Sequence, residues 1–229
     1  RESVRIYCVE NQDKAFGGYI FEPDMWYVSS NTNALFNDQI GISSTTFDAL
    51  YKSARSSQIS GEDFGYKIPV ENGKYVVYLH FAEIYWGVPG GATGGAGNRV
   101  FSITMEEEVI EETYDILAKT DPGAAFVERI EVDITDGFLD MDLIAINGKP
   151  IISAIEILTP SDEETSIGVR NYLDQQGPVL REDMFMNVSL FPNPVVSTSK
   201  LMINSEVEGE FEMSILDMQG REVTTQRLR

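Results

Sequence analysis

One cysteine and one histidine are all that 229 residues offer of the commonest metal-binding side chains. A lone cysteine, Cys8, excludes an intrachain disulfide, and a chain this long can bury enough apolar surface to manage without one. Cys8 sits in the apolar run VRIYCV, which reads as a buried, inert thiol on a strand. The lone His80, also in a strand pattern, excludes a His-based metal site and a local Ser/His/Asp relay, and no GxSxG accompanies it. It is read as structural. Positive charge is also scarce: 17 Lys and Arg stand against 37 Asp and Glu, a net charge of −20. That balance argues against nucleic acid, whose phosphates need clustered cations, and against anionic membrane surfaces. A neutral ligand such as a sugar meets no such repulsion. No apolar run approaches the roughly 20 residues that a membrane-spanning helix requires, and no signal peptide opens the chain. It begins instead in a strand pattern, Val4-Arg5-Ile6-Tyr7, as expected of a piece cut from a longer protein. Sustained helical periodicity is missing as well; only DALYKSAR (48–55) could form a short helix.

What is present is alternation. In KYVVYLHF, Tyr75, Val77, Leu79 and Phe81 share one face, with Val76, Tyr78 and His80 on the other. In FVERIEVDI, Phe126, Ile130, Val132 and Ile134 point inward, while Val127, Arg129, Glu131 and Asp133 point outward. FLDMDL sets Leu139, Met141 and Leu143 against Asp140 and Asp142, and RVFSITM and IISAIEIL add two further strands. Period-two patterns of this kind mark half-buried strands. Turn chemistry separates them at Glu71-Asn72-Gly73, Asp121-Pro122-Gly123, Asp136-Gly137 and Asn147-Gly148. The expected fold is an all-β, antiparallel, jelly-roll-like sandwich over residues 1–159. The polar, acidic stretch 160–186 reads as a linker. Strand signals return in VSLF, KLMIN, EFEMSILD and EVTTQRL, making residues 187–229 a small, partial β-domain.

The run FGYKIPVENGKYVVYLHFAEIYW (64–86) resembles the central signature of the malectin family, through Phe64, Tyr66, Phe81, Ala82, Glu83, Tyr85 and Trp86. NRVFSI (98–103), YDI (114–116), Gly123 and IISAIEIL (151–158) follow in the family's order, so the resemblance covers residues 3–159. It implies a non-catalytic module that binds glucose-containing oligosaccharides with aromatic side chains on loops at one end of the sandwich. A second resemblance, to the C-terminal sorting domain of the type IX secretion pathway, rests on Phe191-Pro192-Asn193-Pro194 and on the hairpin from Asp217 to Arg221. The family's closing hairpin is missing after Arg229. This resemblance implies a secretion-machinery partner and a protein secreted to, or held at, the outer surface of a Gram-negative bacterium.

Tyr85 and Trp86 are the leading ligand-binding candidates. They follow the core strand and precede the glycine-rich loop GVPGGATGGAG (87–97), and a sugar's C–H faces pack on aromatic rings. The loop has neither the Lys-Ser/Thr of a phosphate cradle nor a helix behind it, and flexibility is the role expected of it. Phe21 occupies the place of another aromatic contact in the family, with Tyr19 and Trp26 as substitutes and core packing the competing role. The family's acidic contact before the closing strand is replaced by NGKP (147–150), with Asn147 the nearest polar group. Glu83 reads as a structural hydrogen-bonding residue, and Asp133, Asp140 and Asp142 as solvated faces. No calcium loop, cofactor motif or catalytic constellation is evident. The competing readings are a glycoside hydrolase using a carboxylate pair and a protein-binding adhesin.

Overall fold

The computed structural model describes residues 3–9, 12–16, 19–28, 31–165, 186–191, 200–205, 211–216 and 222–228. The chain divides into two compact units, Arg1–Gln176 and Gly177–Arg229. In the first unit, β1 (Val4–Tyr7), β14 (Ala154–Leu158), β8 (Gly73–Ala82) and β11 (Ala125–Ile134) form a four-stranded antiparallel sheet in that order. A five-stranded antiparallel sheet runs β10 (Glu108–Tyr114), β9 (Val100–Met105), β12 (Phe138–Asn147), β7 (Phe64–Pro69), β4 (Tyr27–Val28). A smaller sheet joins β13 (Ile151–Ile152), β6 (Ser53–Ser57) and β5 (Thr32–Phe36), and β2 (Lys14–Phe16) pairs with β3 (Tyr19–Phe21). Among the described residues of the first unit, helix is confined to three short segments, α1 (Asp48–Tyr51), α2 (Ile116–Lys119) and α3 (Pro160–Thr165).

Alternation explains the sandwich. Leu79 and Phe81 of β8, Phe101 and Ile103 of β9, and Leu139, Met141 and Leu143 of β12 are all buried in one core. Phe81 lies 4.8 Å from Tyr114 and 6.1 Å from Phe101, so rings from both sheets meet across the interior. Each such ring contributes about 1.5–3 kcal/mol by leaving water. The expected turns connect these strands: Gly123, Gly137 and Gly148 take φ of 68°, 90° and 79°. Asp136-Gly137 links β11 to β12, and Asn147-Gly148 closes β12.

The sequence reading errs on the second face of β8. Val76, Tyr78 and His80 are buried as thoroughly as the core face. Tyr51 of α1 meets His80 there, its hydroxyl 2.7 Å from Nδ1, and the Tyr78 hydroxyl donates to Glu163 of α3 at 2.5 Å. Val127, read as outward, is buried for the same reason, being directly opposite His80 on the neighbouring strand. Residues 160–165, assigned to the linker, form α3, anchored by Ser3 to Asp162 and by Arg129 and Tyr78 to Glu163.

In the second unit, β15 (Met186–Phe191) pairs with β16 (Lys200–Ser205), and β17 (Phe211–Leu216) with β18 (Glu222–Leu228), both antiparallel. Two pieces carrying the sorting-domain resemblance, Pro192-Asn193-Pro194 and Asp217 to Arg221, lie outside the described residues.

Candidate functional site

Where β8 ends, its ladder with β11 ends too, the last pair being Ala82 with Ala125. The next amides therefore need other acceptors. Glu83, fully buried, supplies one: Oε1 accepts from the Tyr85 N–H at 3.0 Å and from the Trp86 N–H at 3.1 Å. Arg99, 4% exposed, closes on the same carboxylate, with Nε 2.6 Å from Oε2 and Nη2 3.1 Å from Oε1. Its Nη1 donates to the Lys149 carbonyl. A buried ion pair adds little net stability, but removing one partner costs about 3–5 kcal/mol by stranding the other. Glu83 is thus the hydrogen-bonding residue expected, with an assignment more specific than the sequence allowed: it fixes the backbone of both aromatics.

Tyr85, 38% exposed, stands edge to face with the partly buried Trp86. The glycine-rich loop does not hang free beside them. Ala92 N–H donates to the Tyr85 carbonyl at 2.8 Å and Gly87 N–H to the Ala92 carbonyl at 2.8 Å, stitching the loop back to the strand end. A Cβ on Gly91 would fall 1.8 Å from the Tyr85 oxygen, and one on Gly94 would fall 2.5 Å from Trp86 Cε3. These glycines permit close approach; the expectation of flexibility is replaced by one of tight closure. Gly95, by contrast, has open space where a side chain would go.

Three polar residues complete the frame. Buried Asn37 donates to the carbonyls of Ile84 and Pro89, each at 2.8 Å. Asp115 caps α2 through Leu117 N–H at 2.9 Å and accepts from Gly97 N–H at 2.5 Å. Exposed Asn147 donates to the Gly97 carbonyl at 2.7 Å, which brings it to the far end of the same loop. Sequence reasoning missed Asn37 and Asp115 as site-builders and gave Arg99 no role. Arg99 left a trace as the basic residue opening an apolar strand, and Asp115 only as part of the YDI match.

Phe21 is a correction. It is fully buried, its ring 5.4 Å from Phe16, and belongs to the core rather than to a ligand surface. Tyr19 stacks under Arg5 at 4.3 Å, and Trp26 packs against the core from its edge. His80 is tied into a buried network: its Nε2 lies 3.0 Å from Glu156, which also pairs with Arg5 at 2.7 Å. Of the three acids read as solvated, Asp140 pairs with Lys67 at 2.7 Å. Among the described residues no group of three His, Cys, Asp or Glu could hold a metal ion, and no helix is long and apolar enough to cross a membrane.

Residues 3–159 match the Malectin domain family. A probable LRR receptor-like serine/threonine-protein kinase of Arabidopsis thaliana is 28% identical over 178 residues, 66% of this chain and 17% of that protein. Mouse malectin is 29% identical over 110 residues, 47% of this chain and 34% of that protein. The chain therefore spans about a third or less of these relatives' length. Two solved structures share the fold at 16% identity. The ANXUR1 extracellular domain of Arabidopsis thaliana superposes with a TM-score of 0.56 over 67% of this chain and 47% of that one. A Bacteroides uniformis β-glucuronidase does so with a TM-score of 0.57 over 69% of this chain and 18% of that one.

Proposed function

This chain belongs to the malectin family through residues 3–159, and on that premise we propose that it is a non-catalytic carbohydrate-binding module of a secreted or cell-surface protein. Its ligand class is a neutral, glucose-containing oligo- or polysaccharide, bound at the corner made by Tyr85 and Trp86. The observation that carries the reading is an exposed tyrosine set at right angles to a tryptophan ring on a turn whose backbone is fixed by a buried carboxylate. An aromatic face packs against the C–H faces of a pyranose, and a rigid mount spares the ordering cost that weak sugar binding cannot absorb. Asn147, at the far end of the same loop, is the nearest candidate for a hydroxyl contact.

The net charge of −20 favours a neutral over an anionic glycan. Among the described residues no histidine or unpaired buried carboxylate stands at the aromatic corner: Glu83 is consumed by Arg99 and two amides. Export through the type IX pathway completes the proposal, on the strength of the C-terminal resemblance.

A glycan array probed with the whole chain tests this. Glucose-containing oligosaccharides are expected to bind, with dissociation constants of roughly micromolar to millimolar, and a day's incubation with the best ligand should release no reducing ends. Binding to no glycan on the array would overturn the proposal. Turnover that survives further purification would make the chain a glycosidase instead.

A further inference from the structure

We infer that Glu83 and Arg99 are positioning residues for the ligand platform, holding Tyr85, Trp86 and the 147–149 turn as one rigid piece. The inference rests on the reading of Tyr85 and Trp86 as that platform.

A sandwich end needs no buried charge to stay folded, since an apolar pair of equal volume would do as well or better. Here the charge is placed where two consecutive amides leave the sheet. A single carboxylate oxygen, Oε1, takes both of them, two and three residues along the chain from its own position. That geometry sets the backbone direction at the two residues whose rings form the corner. Arg99 then does two things. Its Nε and Nη2 hold both carboxylate oxygens, which fixes how the carboxylate is turned. Its Nη1 reaches the Lys149 carbonyl, two residues past Asn147. Asn147 in turn holds the Gly97 carbonyl, at the end of the loop that Ala92 stitches to Tyr85. The circuit Tyr85–Glu83–Arg99–Lys149–Asn147–Gly97 closes through the loop, so its members cannot shift independently. Arg99 reaches its acceptors from three nitrogens spread in one plane, a span that the single nitrogen of an ammonium cannot reproduce.

The test uses the whole chain carrying Arg99→Lys or Glu83→Gln, with amide hydrogen exchange read at Tyr85 and Trp86 against Val77 and Leu79 in the middle of β8, and titration with maltotetraose. Val77 and Leu79 report the global stability lost when the buried pair is broken, and beyond that exchange at Tyr85 and Trp86 should quicken on the order of a further 10-fold or more. Maltotetraose affinity should fall by a similar factor. Unchanged exchange at Tyr85 and Trp86 in both variants would overturn the inference. Equal acceleration at all four amides, or failure of both variants to fold, would overturn it too, by showing no effect at the corner beyond the loss of global stability. The exchange arm needs no ligand. Failure of the unaltered protein to bind maltotetraose would count against a glucan ligand and leave the positioning inference to be decided by exchange alone.

Discussion

Tyr85 and Trp86 meet edge to face, ring centroids 4.9 Å apart and planes at 80°. The two rings make a corner rather than a flat shelf. Tyr85→Ala should therefore cut glucan affinity about 10-fold or more, while the melting temperature moves by no more than roughly 2 °C. Trp86→Ala should lower both, because the indole also supports the loop at Gly94. Calorimetric titration paired with thermal denaturation separates the two residues. Equal affinity before and after Tyr85→Ala would remove the tyrosine from the site.

Closure of the loop predicts the effect of a single methyl group. Gly94→Ala places its Cβ inside the contact distance of Trp86 Cε3, so either the indole or the loop must give way. The tryptophan emission should shift and glucan binding should weaken several-fold. Gly95→Ala, one residue on and open on that side, should leave both unchanged. Matching behaviour of the two variants would mean that the loop is looser than its hydrogen bonds indicate.

A stabilising change lies at the opposite sheet edge. Between β9 and β10, Glu106 and Glu107 take φ of 50° and 63°, the left-handed region favoured by glycine and asparagine. Glu106 is compensated: its carboxylate accepts from Asp140 N–H at 2.8 Å, and its own N–H donates to the Asp140 carbonyl at 3.0 Å. Exposed Glu107 shows no such compensation. Glu107→Gly should raise stability by about 0.5–1 kcal/mol, or roughly 2–4 °C in melting temperature. Glu106→Gly should gain less, because the Asp140 contact is lost with the strain. Denaturant titration of the two variants side by side checks the order.

Acid should weaken the fold through Glu156. Burial alone would push its carboxyl up, but the His80 hydrogen bond and Arg5 outweigh it and hold the group below its ordinary 4.5. A carboxyl depressed in the folded state contributes stability above its unfolded value and loses it as pH falls through the folded one. The melting temperature should therefore fall below about pH 4.5. The gap between the unaltered protein and Glu156→Gln, wide at neutral pH, should narrow in the same range. A gap that stays constant from pH 7 to 3 would assign the acid sensitivity to other carboxylates.

The strands and their turns were legible because they depend on neighbours in sequence: alternation chose the inward residues, and Gly123, Gly137 and Gly148 marked the turns. The second face of β8 was not, because Tyr78 and His80 are polar-tipped and their partners, Glu163 and Tyr51, lie 85 and 29 residues away. Phe21 was misplaced for the opposite reason, since a family position says nothing about whether a ring is covered by Phe16. The choice of the aromatics at 85 and 86 as the candidate site rests on their strand phase and the resemblance. Asn37, which holds the turn from 47 and 52 residues away, left no local signal.

Gly95 stands unobstructed beside a glycine that touches the indole. Such a vacancy is an engineer's handle: a hydroxyl, amide or further ring grafted at that single point would enrich the rim of the corner without unpicking the stitches that close the loop. Substitution at 95 could thus retune which glycan is preferred while the scaffold, including its buried Glu83–Arg99 pair, stays untouched.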